Sequence, residues 1–197
     1  VTYLERASNW AGIELDDRMR SLLRRYEKWL GEEAVSSGAI GSKEMRDLER
    51  RHIADSLVFA GVWSGCPDRL ADIGSGAGLP GVPLAITHPQ VGVSLIDRSG
   101  RRCRLLRRAI RILDLENAEV MQADVGEVEG AWPVVTARAV ASPPEMARVA
   151  SRLVESGGML VVGGSHGGDA SAPGFRKVGV PAEILDRSVS ILIMEKP

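Results

Sequence analysis

Two cysteines, Cys66 and Cys103, are all that this 197-residue chain contains. Neither sits at a metal-ligand spacing, and one pair in a chain this size is no disulfide framework. The expectation is a reducing compartment, the cytoplasm, and no metal. An excess of charge of one sign is also missing. The formal net charge is -1, so no global basic field announces a nucleic-acid partner, and any such claim must rest on local charge. No uninterrupted apolar run approaches the roughly 20 residues of a membrane span. No basic-then-apolar leader opens the sequence, so no membrane partner is expected. Internal repeats and long low-complexity segments are absent as well. What is present is ordinary for a soluble protein: 44% hydrophobic and 26% charged residues. The length suits one domain, or one domain with an appendage, with enough chain to bury a core unaided.

Two kinds of patterning follow each other along the chain. Met19, Leu22, Leu23, Tyr26 and Leu30 recur at helical spacing, with arginines and acids on the other face. Asp16 reads as the N-cap of that helix and Gly31 as its stop. A loop follows in AVSSGAIGS. Ser42 then reads as the cap of a second helix through KEMRDLERRH, and ADSLVFAGVW as a third. From Leu70 onward, short β-branched runs alternate with helical segments. The strand candidates are RLADIG, GVSLID, AEVMQAD, VVTARAV, MLVVGG and VSILIME. The helix candidates are 82–86, 101–113 and 144–154, the last preceded by Ser142, opened by prolines and ended by Gly157 and Gly158. This alternation predicts an α/β fold with a mostly parallel sheet and helices on both faces. The last two strand candidates have no helix between them, which predicts an antiparallel edge. The division expected is a helical region over 1–66 and an α/β domain over 67–197, forming one compact unit. Nothing in the pattern demands more than a monomer.

The stretch ADIGSGAGLPG, residues 71–81, is the first strand-to-helix turn. In open α/β sheets that turn is the usual ligand cradle. Glycine there permits positive φ and lets a ligand touch the backbone. The candidate cradle is Gly74, Ser75, Gly76 and Gly78. Two templates compete: Gly76-x-Gly78-x-x-Gly81 fits a dinucleotide fingerprint, and Asp72-x-Gly74-x-Gly76-x-Gly78 fits S-adenosylmethionine methyltransferases. A turn that is glycine-rich for packing alone is the plain alternative. The strand is expected to end at Ile73, which makes Gly74 the first glycine of the turn. Pro80 and Pro83 remove backbone donors that a pyrophosphate would need. An acid at Asp72 suits a sulfonium cation and would repel phosphate. Asp97, at the end of the next strand, suits ribose hydroxyls under either template, the plain alternative being a capping aspartate. Asp124 ends the third, where methyltransferases of this fold place the adenine, or it is an ordinary strand-end residue.

DIGSGAGLPGVPLAI followed by LIDRSGRRCRLLR resembles the glucose-inhibited division protein B family, the small-subunit methyltransferases G that methylate N7 of a guanine in 16S ribosomal RNA. Gly78-Leu79-Pro80-Gly81-Val82-Pro83 matches that family's extension of the glycine loop. Arg51-His52-Ile53-Ala54-Asp55-Ser56 matches its R-H-x-x-D-S, and Ala137-Arg138-Ala139-Val140-Ala141 matches its S-R-A-x-A. The stretch before Arg51 is similar to the actinobacterial branch, and the likeness runs over roughly residues 20 to 162. The resemblance implies a Rossmann-like class I methyltransferase fold, with S-adenosyl-L-methionine as cofactor and 16S ribosomal RNA or the small ribosomal subunit as partner. It implies cofactor contacts at Gly74, Leu79, Asp97 and the backbone of Val125 and Gly126. It puts Arg138 at the active site, touching cofactor or RNA, with His52 and Asp55 near the same mouth. Without the family, His52 reads as a surface or capping histidine.

Guanine N7 carries an in-plane lone pair and no proton, so its methylation needs no general base. Catalysis would come from in-line positioning and from stabilising the shifting charge. The target base must be unstacked or flipped out. Arg101, Arg104, Arg108 and Arg111 share one face of the helix expected over 101–113, opposite Cys103, Leu106, Ile110 and Leu113. That face is either an RNA phosphate contact, which Arg18, Arg20, Arg24 and Arg25 would extend, or a solvated surface.

Several positions depart from the family pattern. Gly163-Gly164 stands where the family has Lys-Gly, Asp124 where it often has arginine, Gly126 for a usual glutamate and Ala137 for serine. The C-terminal part is short, and its GGSHGGDASAPGF reads as a loop in which His166 is an ordinary residue. These departures keep open a divergent member acting on another substrate, and a non-catalytic member that binds cofactor or RNA. A nicotinamide-dependent dehydrogenase is the more distant reading.

Overall fold

The computed structural model describes residues 1–34, 47–63, 65–163 and 172–197. Its seven-stranded sheet has the order β3-β2-β1-β4-β5-β7-β6. The parallel part comprises β1 (Arg69–Ile73), β2 (Gly92–Asp97), β3 (Ala118–Gln122), β4 (Trp132–Arg138) and β5 (Val154–Gly163). β7 (Val189–Glu195) pairs antiparallel with β5, and β6 (Arg176–Val180) antiparallel with β7. β1 lies between β2 and β4, so the strand order reverses beside it, at the point where open α/β sheets bind ligands. This is the mostly parallel sheet expected from the alternation of patterns, antiparallel edge included, and the Rossmann-like arrangement that the resemblance implies.

The helices are set by local chemistry. Thr2 and Glu5 form a reciprocal capping box at the start of α1 (Tyr3–Trp10). Asp16 Oδ1 accepts the Met19 N–H at 2.7 Å and starts α2 (Asp17–Trp29), as its spacing predicts. Ser99 caps α5 (Gly100–Leu113), which ends on Asp114 in the left-handed conformation. Pro143 and Pro144 open α6 (Pro143–Ala150). Among the described residues no helix is long and apolar enough to cross a membrane.

Strand alternation decides which side chains meet the N-terminal helices. Leu70, Val134, Met159, Val161, Ile191 and Ile193 face one side of the sheet, in a single apolar cluster with Leu23, Tyr26, Leu57 and Phe59. Ala71, Ile73, Val135, Ala137, Leu160, Val162 and Leu192 face the other side, against Met146 and Ala150 of α6. The N-terminal helices therefore cover one face of the sheet and share its core. By the same parity Asp72, Thr136, Arg138 and Gly163 point toward those helices. That parity places the polar machinery described below.

Four expectations about elements change. Gly31 does not end its helix, because α2 continues as a wider π-type turn over Leu30–Ala34. The second and third expected helices join without a break: a π-helical segment, Glu49–Ala54, runs straight into α3 (Asp55–Leu57) and then a 3-10 turn, Ala60–Val62. Ser42 and most of the preceding loop lie outside the described residues, as does His166. Helix α6 stops at Ala150, followed by a 3-10 turn. Gly157 and Gly158 lie inside β5, where Gly157 N donates to Lys196 O and Lys196 N to Gly158 O. Strand β6 and the short α7 (Ala182–Leu185) have no counterpart in the pattern reading, because RKVGV is a short, mostly exposed edge segment with only two apolar positions, Val178 and Val180.

Candidate active site

The glycine loop leaves β1 and enters α4 (Gly81–Thr87). Gly74, Gly76 and Gly78 have φ of +65°, +63° and +102°, a region that L side chains rarely adopt. The loop returns on itself: Ser75 N donates to Ile96 O at 3.0 Å and Gly78 N to Ser75 O at 2.7 Å. Gly81 has a different reason. A Cβ there would meet Leu95 Cδ2 at 2.3 Å and Asp72 Oδ2 at 2.7 Å, so α4 can lie on the sheet only without a side chain. From below, the buried Tyr26 of α2 donates its hydroxyl to Ala77 O at 2.9 Å.

Asp72 departs from the ligand-facing role expected of it. Its carboxylate is fully buried and holds the loop from beneath. It accepts hydrogen bonds from the Ser75 hydroxyl, from Gly81 N at 3.0 Å and from the Thr136 hydroxyl at 3.1 Å. Strand parity explains this, since position 72 points away from the open edge and under the loop. Burial pushes its carboxyl up to about 6, against the pull of those three donors and of the nearby Arg138 charge. A carboxyl raised in the folded state binds protons more tightly there than in the unfolded chain. Its stabilising contribution is full below the ordinary 3.8 and is lost as pH rises through about 6. The melting temperature of the wild type relative to Asp72→Asn should therefore rise between pH 7 and pH 4, by the equivalent of up to about 3 kcal/mol. Parallel melting curves across that range would deny Asp72 this role.

Asp97 ends β2 and is 3% exposed. Its Oδ2 accepts Gly76 N at 3.0 Å and its Oδ1 accepts Ser99 N at 2.8 Å. One carboxylate thus ties the glycine loop to the start of α5, and each oxygen keeps a further lone pair. Beside it opens a cavity of about 500 Å³ whose walls include Gly74, Asp97, Asp124, Val125, Val140 and Met146. Arg102 reaches to 3.6 Å from Asp97, and Arg98 to 3.9 Å from Asp124. The fit to a nucleoside-bearing cofactor is direct. A buried acid lies against the cavity, and a Cβ added at Gly76 would meet only the Gly74 carbonyl oxygen, at 3.7 Å, so the loop leaves room. Gly74 itself is roofed by Val140, whose Cγ2 would be 2.6 Å from a Cβ there. Ala139, at a left-handed φ of +55°, turns Val140 over the loop.

A second cluster lies behind that roof. The Arg138 guanidinium donates to Asp55 Oδ2 at 2.9 Å and Arg51 O at 3.2 Å, and lies 3.2 Å from His52 Nδ1. Asp55 Oδ1 accepts from Arg187 at 2.7 Å. The structure thus brings together His52, Asp55 and Arg138 from distant stretches of sequence, with the side chains of His52 and Asp55 buried. Gly163 closes this cluster. A Cβ there would lie 2.9 Å from Phe59 Cζ and 3.2 Å from Arg138 Cγ. Restoring the family lysine through Gly163→Lys should therefore lower the melting temperature and displace Arg138. A gain in stability would show that this position has room.

Of the expected cofactor residues, Gly74, Asp97, Asp124 and Val125 line the cavity. Ser75 and Leu79 are buried inside the loop, and Gly126 N donates to Asp124 Oδ1 at 3.0 Å. Arg138 adjoins the cavity through Ala139, while its guanidinium is held by the second cluster. Pattern reading missed Arg98, Arg102, Thr136, Val140 and Arg187. Arg102 was within reach of it, lying one turn into the helix that follows Asp97. On α5, Arg101, Arg104, Arg108 and Arg111 are all exposed, and Arg108 already pairs with Glu33 at 2.8 Å. Arg25 of α2 reaches Ile112 O near the end of α5, while Arg20 lies 3.7 Å from Glu5 of α1.

The family model described as GidB, rRNA small subunit methyltransferase G, matches residues 19–169. Over 140 residues the chain is 39% identical to the ribosomal RNA small subunit methyltransferase G of Acidothermus cellulolyticus, covering 71% of this chain and 63% of that protein. Over 162 residues it is 36% identical to the protein of that name from Roseiflexus castenholzii, covering 79% and 68%. The chain thus spans 63% of the first relative's length, a little under two-thirds. A solved mutant of MtNAS in complex with S-adenosylmethionine shares the fold at a TM-score of 0.61 and 18% identity, over 90% of this chain and 73% of that one.

Proposed function

This chain belongs to the rRNA small subunit methyltransferase G family, and from that premise we propose that it transfers a methyl group from S-adenosylmethionine to N7 of a guanine in 16S ribosomal RNA. The observation that carries the reading is Asp97: a buried acid at the switch point of the sheet, already orienting a loop of positive-φ glycines beside a cavity of about 500 Å³. S-adenosylmethionine, when bound, supplies an electrophilic methyl on a sulfonium centre. Asp97 would accept from the ribose hydroxyls, and Asp124 and Val125 would border the base. Gly74, with Val140 packed on it, would form one wall beside the reacting end. N7 attacks with its own lone pair, so the protein has no proton to remove. His52 and Asp55 hold Arg138 rather than act as bases. A ribosomal RNA substrate places the work in the cytoplasm.

The test is methyl transfer from labelled S-adenosylmethionine to 16S RNA and to small subunits from a strain lacking the family enzyme, with the product nucleoside identified. 7-Methylguanosine at one site is the expected result. Cofactor binding without any transfer would instead favour the divergent or non-catalytic member. The arginine face of α5 has its own readout. Arg104→Glu with Arg111→Glu should weaken RNA binding and flatten the slope of log affinity against log salt, by about 0.7 to 0.9 for each phosphate left without its arginine. An unchanged slope would make this face a solvated surface.

A further inference from the structure

We propose that Arg187 is a positioning residue for Arg138, acting through Asp55; the inference rests on the methyl-transfer reading above. Arg187 follows α7 in the C-terminal hairpin, beyond the stretch that the family model matches. Its guanidinium donates to Asp55 Oδ1 at 2.7 Å, while Arg138 donates to Oδ2 at 2.9 Å. The side chains of Asp55, Arg138 and Arg187 are 9%, 16% and 19% exposed, so the three are shielded together. One carboxylate is thus shared by two guanidiniums at the C-terminal end of β4.

The sharing has a geometric consequence. A guanidinium facing a carboxylate favours two parallel hydrogen bonds. Here Arg187 occupies one carboxylate oxygen, so Arg138 pairs with Asp55 through Nη1 alone. That leaves Nη1 also on Arg51 O and Nη2 beside His52 Nδ1. Arg187 is itself anchored by its neighbour: Asp186 accepts from the Tyr3 hydroxyl and from Arg6 at 3.0 Å, which ties the turn to α1. Without Arg187, Asp55 is free to take Arg138 in the forked pairing and draw it off Arg51 and His52. Arg138 precedes Ala139 and Val140, the roof of the cavity, so its displacement reaches the reacting end.

The experiment uses the full chain with Arg187→Gln, Arg187→Lys and Arg138→Lys. Arg187→Gln should lower kcat by about ten- to a hundredfold, with the Kd for S-adenosylmethionine and the KM for RNA close to wild type. Arg187→Lys should recover part of that loss, since it restores a cation to Oδ1. In the Arg138→Lys background, Arg187→Gln should cost little more, because the residue to be positioned is already changed. A loss that tracks the melting temperature, or losses that multiply in the double variant, would overturn the proposal. If the wild type itself transfers no methyl group, the functional reading fails first. The NMR signals of the Arg138 guanidinium, assigned by their loss in Arg138→Lys, then decide the positioning claim without turnover: displaced or broadened in Arg187→Gln they support it, and unchanged they refute it.

Discussion

Asp97→Ala is expected to raise the Kd for S-adenosylmethionine by about a hundredfold or more. Two losses combine. The carboxylate that would receive the ribose hydroxyls is gone, and hydrogen bonds to a charged group contribute about 1.5–3 kcal/mol each. The variant also releases Gly76 N and Ser99 N, which Asp97 holds at 3.0 and 2.8 Å, so the glycine loop and the start of α5 lose their common anchor. Asp97→Asn separates the contributions, because an amide oxygen can serve only one of those two N–H groups while its NH₂ opposes the other. Calorimetric titration with the cofactor, alongside circular dichroism to confirm folding, gives the answer. An unchanged Kd for Asp97→Ala would remove this residue from the site.

Arg138→Ala is expected to lower kcat by about a hundredfold, the order of loss when the backbone that shapes a reacting site is misplaced by about 1 Å. The fold should persist. Asp55 keeps its partner Arg187, so the substitution strands no buried charge, which would otherwise cost about 3–5 kcal/mol. Asp72 loses a nearby positive charge that helps keep it ionised, so the variant should also shift the pH dependence of stability to higher pH. Single-turnover methyl transfer separates the chemical step from RNA binding. Wild-type rates in Arg138→Ala would show that the arginine only braces β4 against α3.

Much of the site was legible because its parts are contiguous. Gly74, Gly76 and Gly78 are three steps of one turn, and positive φ is a demand that glycine alone meets cheaply, so the loop is visible in a single string. Asp97 closes a strand of plain apolar pattern, and its position at the end marks it. Asp72 was visible but misplaced. Its spacing from the glycines suggested a ligand contact, whereas strand parity turns its carboxylate beneath the loop, onto Ser75, Gly81 and Thr136. Strand β6 and Arg187 were invisible, since a five-residue edge strand with only two apolar positions is too short a pattern to read and a lone arginine in a turn carries no local signal.

The sequence by itself determined the alternation of the five parallel strands with helices, the antiparallel last strand, the ligand turn after β1, the acid at the end of β2 and the amphipathic arginine helix. These are short-range properties, written in periodicity and in the few residues that tolerate an unusual backbone. The tertiary structure alone decided that the N-terminal helices cover one face of the sheet, that Tyr26 supports the glycine loop, and that Asp55 stands between Arg138 and Arg187. Those contacts join residues 51, 83 and 132 positions apart. Each depends on which way a strand residue points once its sheet has formed, and burial, rather than local preference, makes that choice.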